Sequence, residues 1–307
     1  MAVLAMVLAV AGCTPERDAS NFFSPEEVDV LVIDVVLIVG EPLPFLRLSR
    51  TLAPDEPYTL ANSGENGATI VITDQSGSRT TYFDDPGPEG IYTPLGPVTI
   101  VQPSTTYDLF VETDRGEIMT ARTTTPARLQ VARWVALNPA DGSELRELET
   151  FESAGEGVYD APENQLPYAS VLVEAQLDPQ EVQGFQLALF SLDPDSDFVI
   201  DPPFFEDDDF LELDREGSSP ALAAEDGAIR LPWFAIYYEG RHKYKVFAVD
   251  DNWFDLLRST PQGDGGFAFG GNAGDGFERP LFRVDGGIGL FGSASVDSTG
   301  FRVLQAP

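Results

Sequence analysis

Turn-forming residues interrupt this chain too often for it to be built from long helices. The 307 residues include 28 Gly and 24 Pro, so more than one residue in six favours a turn. Between the turns lie short runs rich in Val, Ile, Thr, Tyr and Phe, which are residues that favour β-strands. Because 43% of the residues are hydrophobic, the chain has enough apolar surface to bury a core. The sequence therefore predicts an all-β fold of many short strands.

The segment 28–127 has the strand pattern of an immunoglobulin-like antiparallel β-sandwich. Its apolar runs are short, and polar turns such as Asp-Gln-Ser-Gly at 74–77 separate them. Pro126 closes this unit. We predict strands at residues 28–39, 45–50, 68–73, 79–83, 91–92, 98–101, 107–113 and 117–124.

The segment 128–307 is predicted to form a second β-rich domain with one short helix. The helix is expected at 252–259, because Trp253, Leu256 and Leu257 fall on one helical face. Ordinary core packing is expected for Trp233 and Trp253, with an exposed aromatic face that binds a sugar or a partner as the alternative. An acidic insert at 193–216 interrupts this domain and contains Pro-Pro and Phe-Phe pairs.

The first residues predict a secreted, lipid-anchored protein. Residues 1–12 are uncharged and mostly apolar, and they are too short to span a bilayer as a helix, so they fit a signal peptide. Residues 10–13, Val-Ala-Gly-Cys, resemble a bacterial lipobox, which predicts cleavage before Cys13 and acylation of that cysteine with chains such as palmitate. Residues 13–27 then form a lipidated tether. Thr14 after the cysteine favours the outer membrane, on its periplasmic or its cell-surface face.

The charge of the chain excludes several classes of partner. With 18 basic and 51 acidic residues, the formal net charge is −33, so no basic surface for nucleic acid or for an anionic membrane is expected. Only Lys243 and Lys245 are lysines, and a dense carboxylate surface with scarce lysine suits high salt. We therefore interpret the acidity chiefly as an adaptation to salt, with a specific acidic binding role as the alternative.

No catalytic motif is evident in the sequence, so a non-enzymatic protein is expected. There is no Gly-x-Ser-x-Gly elbow, phosphate-binding loop or His-Glu-x-x-His motif. A single Cys and a single His exclude a disulfide framework and a His-rich metal site. The one histidine, His242, is flanked by Arg241 and Lys243, and we interpret it as an exposed strand residue.

The acidic insert is the candidate metal site. Asp193, Asp195 and Asp197 have the spacing of the first ligands of a calcium loop, although the positions that hold Gly and Glu in that motif are Phe here. A Ca²⁺ site would draw on six carboxylates of the insert: Asp193, Asp195, Asp197, Asp207, Asp208 and Asp209. The pair Asp250-Asp251 is a further candidate, and a solvated acidic loop is the alternative reading. Phe204 and Phe205 are the candidate partner-binding residues.

A set of short motifs resembles the Gram-negative lipoproteins grouped as the domain of unknown function 4249 family. The motifs are the lipobox, Leu-Arg-Leu-Ser-Arg-Thr at 46–51, Gly-Ala-Thr-Ile-Val-Ile-Thr-Asp at 67–74, Gly-Ile-Tyr at 90–92, Thr-Tyr-Asp-Leu at 106–109, Thr-Thr-Thr-Pro at 123–126, Trp-Phe-Asp at 253–255 and Gly-Gly-Ile-Gly-Leu-Phe-Gly at 286–292. The first domain is also similar to immunoglobulin-like modules related to carboxypeptidase regulatory domains. The resemblance implies an outer-membrane lipoprotein, often encoded beside TonB-dependent receptors, and it carries over no catalytic residues.

Together these features predict a non-enzymatic, lipid-anchored outer-membrane protein. It would bind a partner or ligand as an accessory to a TonB-dependent transport system. An extracytoplasmic hydrolase that uses Asp and Glu carboxylates is one alternative, and a purely structural envelope protein is another.

Overall fold

The computed structural model describes most of the chain between residues 28 and 305. The described ranges are 28–53, 56–85, 89–178, 181–182, 184–199, 215–223, 227–260 and 280–305. The predicted signal peptide and tether, and the part of the insert that holds Phe204, Phe205 and Asp207 to Asp209, lie outside them. Within these ranges, no helix is both long and apolar enough to cross a bilayer.

The all-β prediction is confirmed. The first seven strands are β1 (Leu31–Ile38), β2 (Leu46–Arg50), β3 (Thr69–Asp74), β4 (Arg79–Asp84), β5 (Ile91–Pro94), β6 (Thr106–Glu112) and β7 (Ile118–Thr124). The next five are β8 (Val131–Leu137), β9 (Glu144–Glu147), β10 (Gln165–Pro167), β11 (Leu172–Leu177) and β12 (Gly184–Ser191). The last five are β13 (Glu216–Ser218), β14 (Ala228–Leu231), β15 (Gly240–Val249), β16 (Val284–Asp285) and β17 (Ile288–Leu304).

Helices are short and few in the described part of the chain. They are α1 (Leu60–Ser63), α2 (Phe151–Ala154) and α3 (Asp251–Ser259), with 3₁₀ turns at Gly155–Tyr159, Pro162–Asn164 and Trp233–Ala235. The helix predicted at 252–259 is confirmed as α3. The strand predicted at 98–101 is wrong: this segment makes one isolated bridge, between Ile100 and Pro42. Pro97 and Pro103 flank it, and neither has an N–H to donate to a strand ladder.

A large mixed sheet and a small antiparallel sheet make up the sandwich. The large sheet has the strand order β13-β12-β15-β17-β1-β2-β5-β4-β3-β6-β7-β16, with β10 also paired to β17. The small sheet has the order β14-β11-β8-β9. Most pairs are antiparallel, but β1 and β10 each run parallel to β17.

Strand β17 links the two hydrophobic cores. Phe291, near its start, packs in the core formed by β1 to β7, whereas Phe301 and Val303 pack between the small sheet and β12 and β15. The residues of one core come mostly from before the predicted boundary at residue 127, and those of the other core come from after it. Strand β17 of the second segment nevertheless pairs with β1 of the first. The domain division stays a prediction.

Close backbone contact explains one glycine of the motif at 286–292. Gly289 lies opposite Ile33 in the parallel β1–β17 ladder and has a φ of +111°. A Cβ at this position would lie 2.0 Å from the carbonyl oxygen of Ile33. Only glycine fits there, so this glycine serves the pairing of β1 with β17.

Candidate functional site

A large open cleft lies between the β6–β7 hairpin, the start of α3 and strand β16. Its volume is about 1440 Å³, which exceeds the roughly 300–1,000 Å³ typical of small-molecule sites. Phe110, Pro126, Phe282 and Val284 form apolar parts of its wall. The charged lining residues are Asp108, Arg122, Glu181, Asp250, Asp251, Arg283 and Asp285.

Asp250 fixes helix α3 against two strands of the large sheet, β7 and β17. As the N-cap residue it accepts a hydrogen bond from Trp253 N at 3.0 Å, and the same oxygen accepts one from Ser293 N at 3.1 Å. Its other oxygen accepts a hydrogen bond from the hydroxyl group of Thr123 on β7, and the two oxygens are 2.5 Å apart. Burial raises the pKa of the Asp250 carboxyl, and these hydrogen bonds only partly offset that effect. Since both oxygens of Asp250 are engaged, its role in the described structure is to hold the cleft wall.

Asn252 completes this junction. Its side-chain amide donates to the carbonyl oxygens of Arg122 on β7 and Phe291 on β17, each at 2.7 Å. Asn252 is itself buried, so these bonds satisfy a polar group that would otherwise be unpaired. The start of α3 is therefore held in a fixed position relative to the β6–β7 side of the cleft.

Each arginine of the cleft is paired with a carboxylate. Arg122 donates to Asp108 at 2.6 Å, across the β6–β7 ladder where the two residues are in register. Arg283 donates to the buried Asp255 at 2.6 Å, and Arg258 donates to the other oxygen of that carboxylate at 2.7 Å. Burial opposes ionisation of Asp255, but the two arginines outweigh it and lower the pKa of this carboxyl.

Three other carboxylates of the cleft have no such partner. Asp251, Asp285 and Glu181 line it, and none of them makes an ion pair or side-chain hydrogen bond with another described residue. Asp251 and Asp285 are exposed to solvent. The cleft therefore combines apolar walls, paired arginines and unpaired negative charge.

The acidic insert is only partly within the described residues. Asp193 pairs with Arg241: its Oδ1 accepts from the guanidinium at 2.7 Å, and its Oδ2 accepts from the backbone N of Arg241 at 2.8 Å. Burial opposes ionisation of Asp193, but Arg241 outweighs it and lowers the pKa. Among the described residues, no group of three or more His, Cys, Asp or Glu side chains is arranged to hold a metal ion. Asp195 and Asp197 are exposed, and the Ca²⁺ site that would also use Asp207, Asp208 and Asp209 stays a prediction.

The other predicted sites, Cys13 and the Phe204-Phe205 pair, lie outside the described residues. The core packing predicted for Trp233 is wrong, because it is 43% exposed and sits edge-on to Phe234, itself 41% exposed. Trp253 is partly buried and packs against Phe247, with ring centroids 5.8 Å apart.

The exposure predicted for His242 is also wrong. It is 1% exposed and stacks on Phe301 with ring centroids 5.6 Å apart. Strand β15 is paired on both sides, and His242 shares its buried face with Tyr244 and Val246, whereas Lys243 alternates to the other face. The flanking cations therefore do not mark an exposed histidine.

Sequence reasoning did not identify the cleft. Its lining residues come from separate segments between positions 104 and 285, so no local spacing could reveal it. One signal was present: Asp-Asp-Asn at 250–252 before an amphipathic helix is the pattern of a helix N-cap. No model of a known protein family matches the chain, and no curated protein is significantly similar to it.

Proposed function

We propose that this protein is a lipid-anchored outer-membrane protein that binds a ligand in the cleft between β6–β7 and α3. The cleft is the observation that carries the proposal, because ligands typically bind in concave, partly apolar sites, and the volume of about 1440 Å³ leaves room for a ligand larger than most single small molecules. The lipobox motif at 10–13 and the resemblance to outer-membrane lipoproteins support the location. On this proposal, the protein presents its ligand to a neighbouring TonB-dependent receptor.

Binding rather than hydrolysis is favoured by the hydrogen bonding of Asp250, the one buried carboxylate among the described lining residues of the cleft. Asp250 is buried, as a catalytic acid with a raised pKa would be, but both of its oxygens accept hydrogen bonds that hold α3. It therefore serves the architecture of the cleft, and a binding protein accounts for the site better than a hydrolase does.

The tether length suits an anchored binding protein. Residues 13–27 would separate the acylated Cys13 from the start of the fold, and 15 extended residues reach at most about 50 Å. A Cys13→Ser variant should lose the anchor and leave the membrane fraction. If this variant still fractionates with the outer membrane after a salt wash, the proposed anchor is wrong.

Ligand binding in the cleft is tested with a variant that places a bulky side chain on its wall. Ala127 is exposed and lines the cleft, whereas Ala140 is an exposed residue of a turn and does not line it. We expect native mass spectrometry of protein purified from its own membrane to show a bound ligand molecule in wild type and in Ala140→Trp. Ala127→Trp should lose that molecule. Equal retention by both variants would contradict the proposed site.

A further inference from the structure

We propose that the ligand of the cleft is a short basic peptide with apolar side chains. This inference rests on the proposed function, because it assigns a ligand class to the same cleft. Three features of the described residues lead to it: the unpaired carboxylates, the apolar walls and the volume.

The first feature is the distribution of charge. Arg122 and Arg283 are the cations of the lining, and each is already paired with a carboxylate. Asp251, Asp285 and Glu181 have no cationic partner among the described residues, in a chain with a net charge of −33. A concave site with an excess of negative charge attracts cations and repels anions, because its walls focus the electric field of the surface charges.

The second feature is the apolar wall. Phe110 and Phe282 line the cleft and are partly exposed, so each offers ring surface to a ligand. An aromatic ring attracts both an apolar group and an ammonium or guanidinium group placed over its face. A ligand that carries both apolar and cationic groups therefore uses the whole lining, whereas a hydrated metal ion would use only the carboxylates.

The third feature is size. A volume of about 1440 Å³ is larger than the roughly 300–1,000 Å³ of sites for single small molecules. A peptide of several residues fills such a space, and lysine or arginine at its ends can reach the carboxylates of the rim. An amine with one ring would leave much of the cleft to water.

Three blocked pentapeptides that differ only in their two flanking residues test this inference by titration calorimetry. They are acetylated and amidated, with a Phe-Ala-Phe centre flanked by two Lys, two Gln or two Glu residues. We expect the Lys peptide to bind most tightly, the Gln peptide more weakly and the Glu peptide least. Affinity of the Lys peptide should also fall with added NaCl.

Matched charge variants show whether the cleft carboxylates are responsible. Asp251→Asn combined with Asp285→Asn removes two charges from the cleft, and Glu152→Gln combined with Glu163→Gln removes two exposed charges elsewhere. Asp251 and Glu152 both lie in the first turn of a helix, so the helix effect is also matched. We expect the cleft pair to weaken the Lys peptide by about five- to tenfold and the control pair to leave it unchanged.

The outcomes separate the ligand class from the proposed function. If the Gln or Glu peptide binds as tightly as the Lys peptide, or if the cleft pair has no more effect than the control pair, the cationic ligand is wrong. If the cationic ligand is wrong but Ala127→Trp still abolishes binding of the peptides, the cleft remains the binding site. If Ala127→Trp binds all peptides as wild type does, the proposed cleft function fails as well. Absence of binding by every peptide overturns the peptide inference, and the molecule retained from the native membrane then decides the function.

Discussion

The buried histidine makes the stability of this protein depend on pH in a predictable direction. Burial lowers the pKa of His242 to about 4, from an ordinary value of 6.5. The folded state therefore binds fewer protons than the unfolded state when the pH lies between these two values. The stabilising effect of the neutral ring is complete above pH 6.5 and is lost as the pH falls towards 4.

The size of the effect follows from the two pKa values. The difference between a pKa of 6.5 in the unfolded state and about 4 in the folded state corresponds to about 3 kcal/mol of unfolding free energy once both states are protonated. About 2 kcal/mol of this is lost between pH 7 and pH 5. Nearby carboxylates also titrate, but they are the same in a His242→Phe variant, so the comparison removes their contribution. The variant keeps a ring against Phe301 and loses the contact between Nδ1 and the carbonyl oxygen of Gly240.

Urea unfolding followed by tryptophan fluorescence measures this difference. We expect the unfolding free energy of wild type relative to His242→Phe to fall by about 2 kcal/mol between pH 7 and pH 5. Because His242 is the only histidine, its ring resonances also report the pKa directly. A constant difference between the two proteins, or a ring that titrates near pH 6.5, would refute the reasoning.

Three further predictions concern stability. Arg50→Leu leaves the buried Glu65 without its cation and should lower the unfolding free energy by about 3–5 kcal/mol. Adding Glu65→Leu should recover much of that loss in urea unfolding, and no recovery would count against the pairing of these two charges. Asp250→Ala removes the N-cap of α3 and the partner of Thr123, so it should destabilise by about 2–3 kcal/mol, whereas Asp251→Ala should change stability by less than about 1 kcal/mol. With a net charge of −33, the melting temperature should rise with NaCl and then level off, and a flat or falling curve would remove the argument for adaptation to salt.

Local patterns predicted most of the secondary structure because they act over a few residues. The alternation at 107–113 and the apolar face of 252–259 each correspond to an observed element, β6 and α3. Which strands pair with each other was harder to predict from the sequence. The parallel contact of β1 with β17 joins residues about 250 positions apart, and the parallel arrangement depends on how the chain between them folds.

The environment of single side chains was the hardest feature to predict. His242 lies between cations in sequence but on the opposite face of its strand, so its burial depends on which face meets the core. Trp233 is apolar but sits in a short 3₁₀ turn that leaves it 43% exposed. The cleft likewise depends on the docking of α3, which Asp250 and Asn252 achieve through contacts with β7 and β17.

Site-specific photo-crosslinking in the native envelope tests the central claim, ligand binding in the cleft, most directly. A benzoylphenylalanine in place of Phe282 puts the reactive group in the cleft, and one in place of Phe83 puts it on the exposed face of β4, outside the cleft. After irradiation of intact cells, mass spectrometry of the purified protein should show one discrete added mass at position 282 and none at position 83. The same adduct at both positions, or an adduct at position 83 alone, would contradict binding in the cleft.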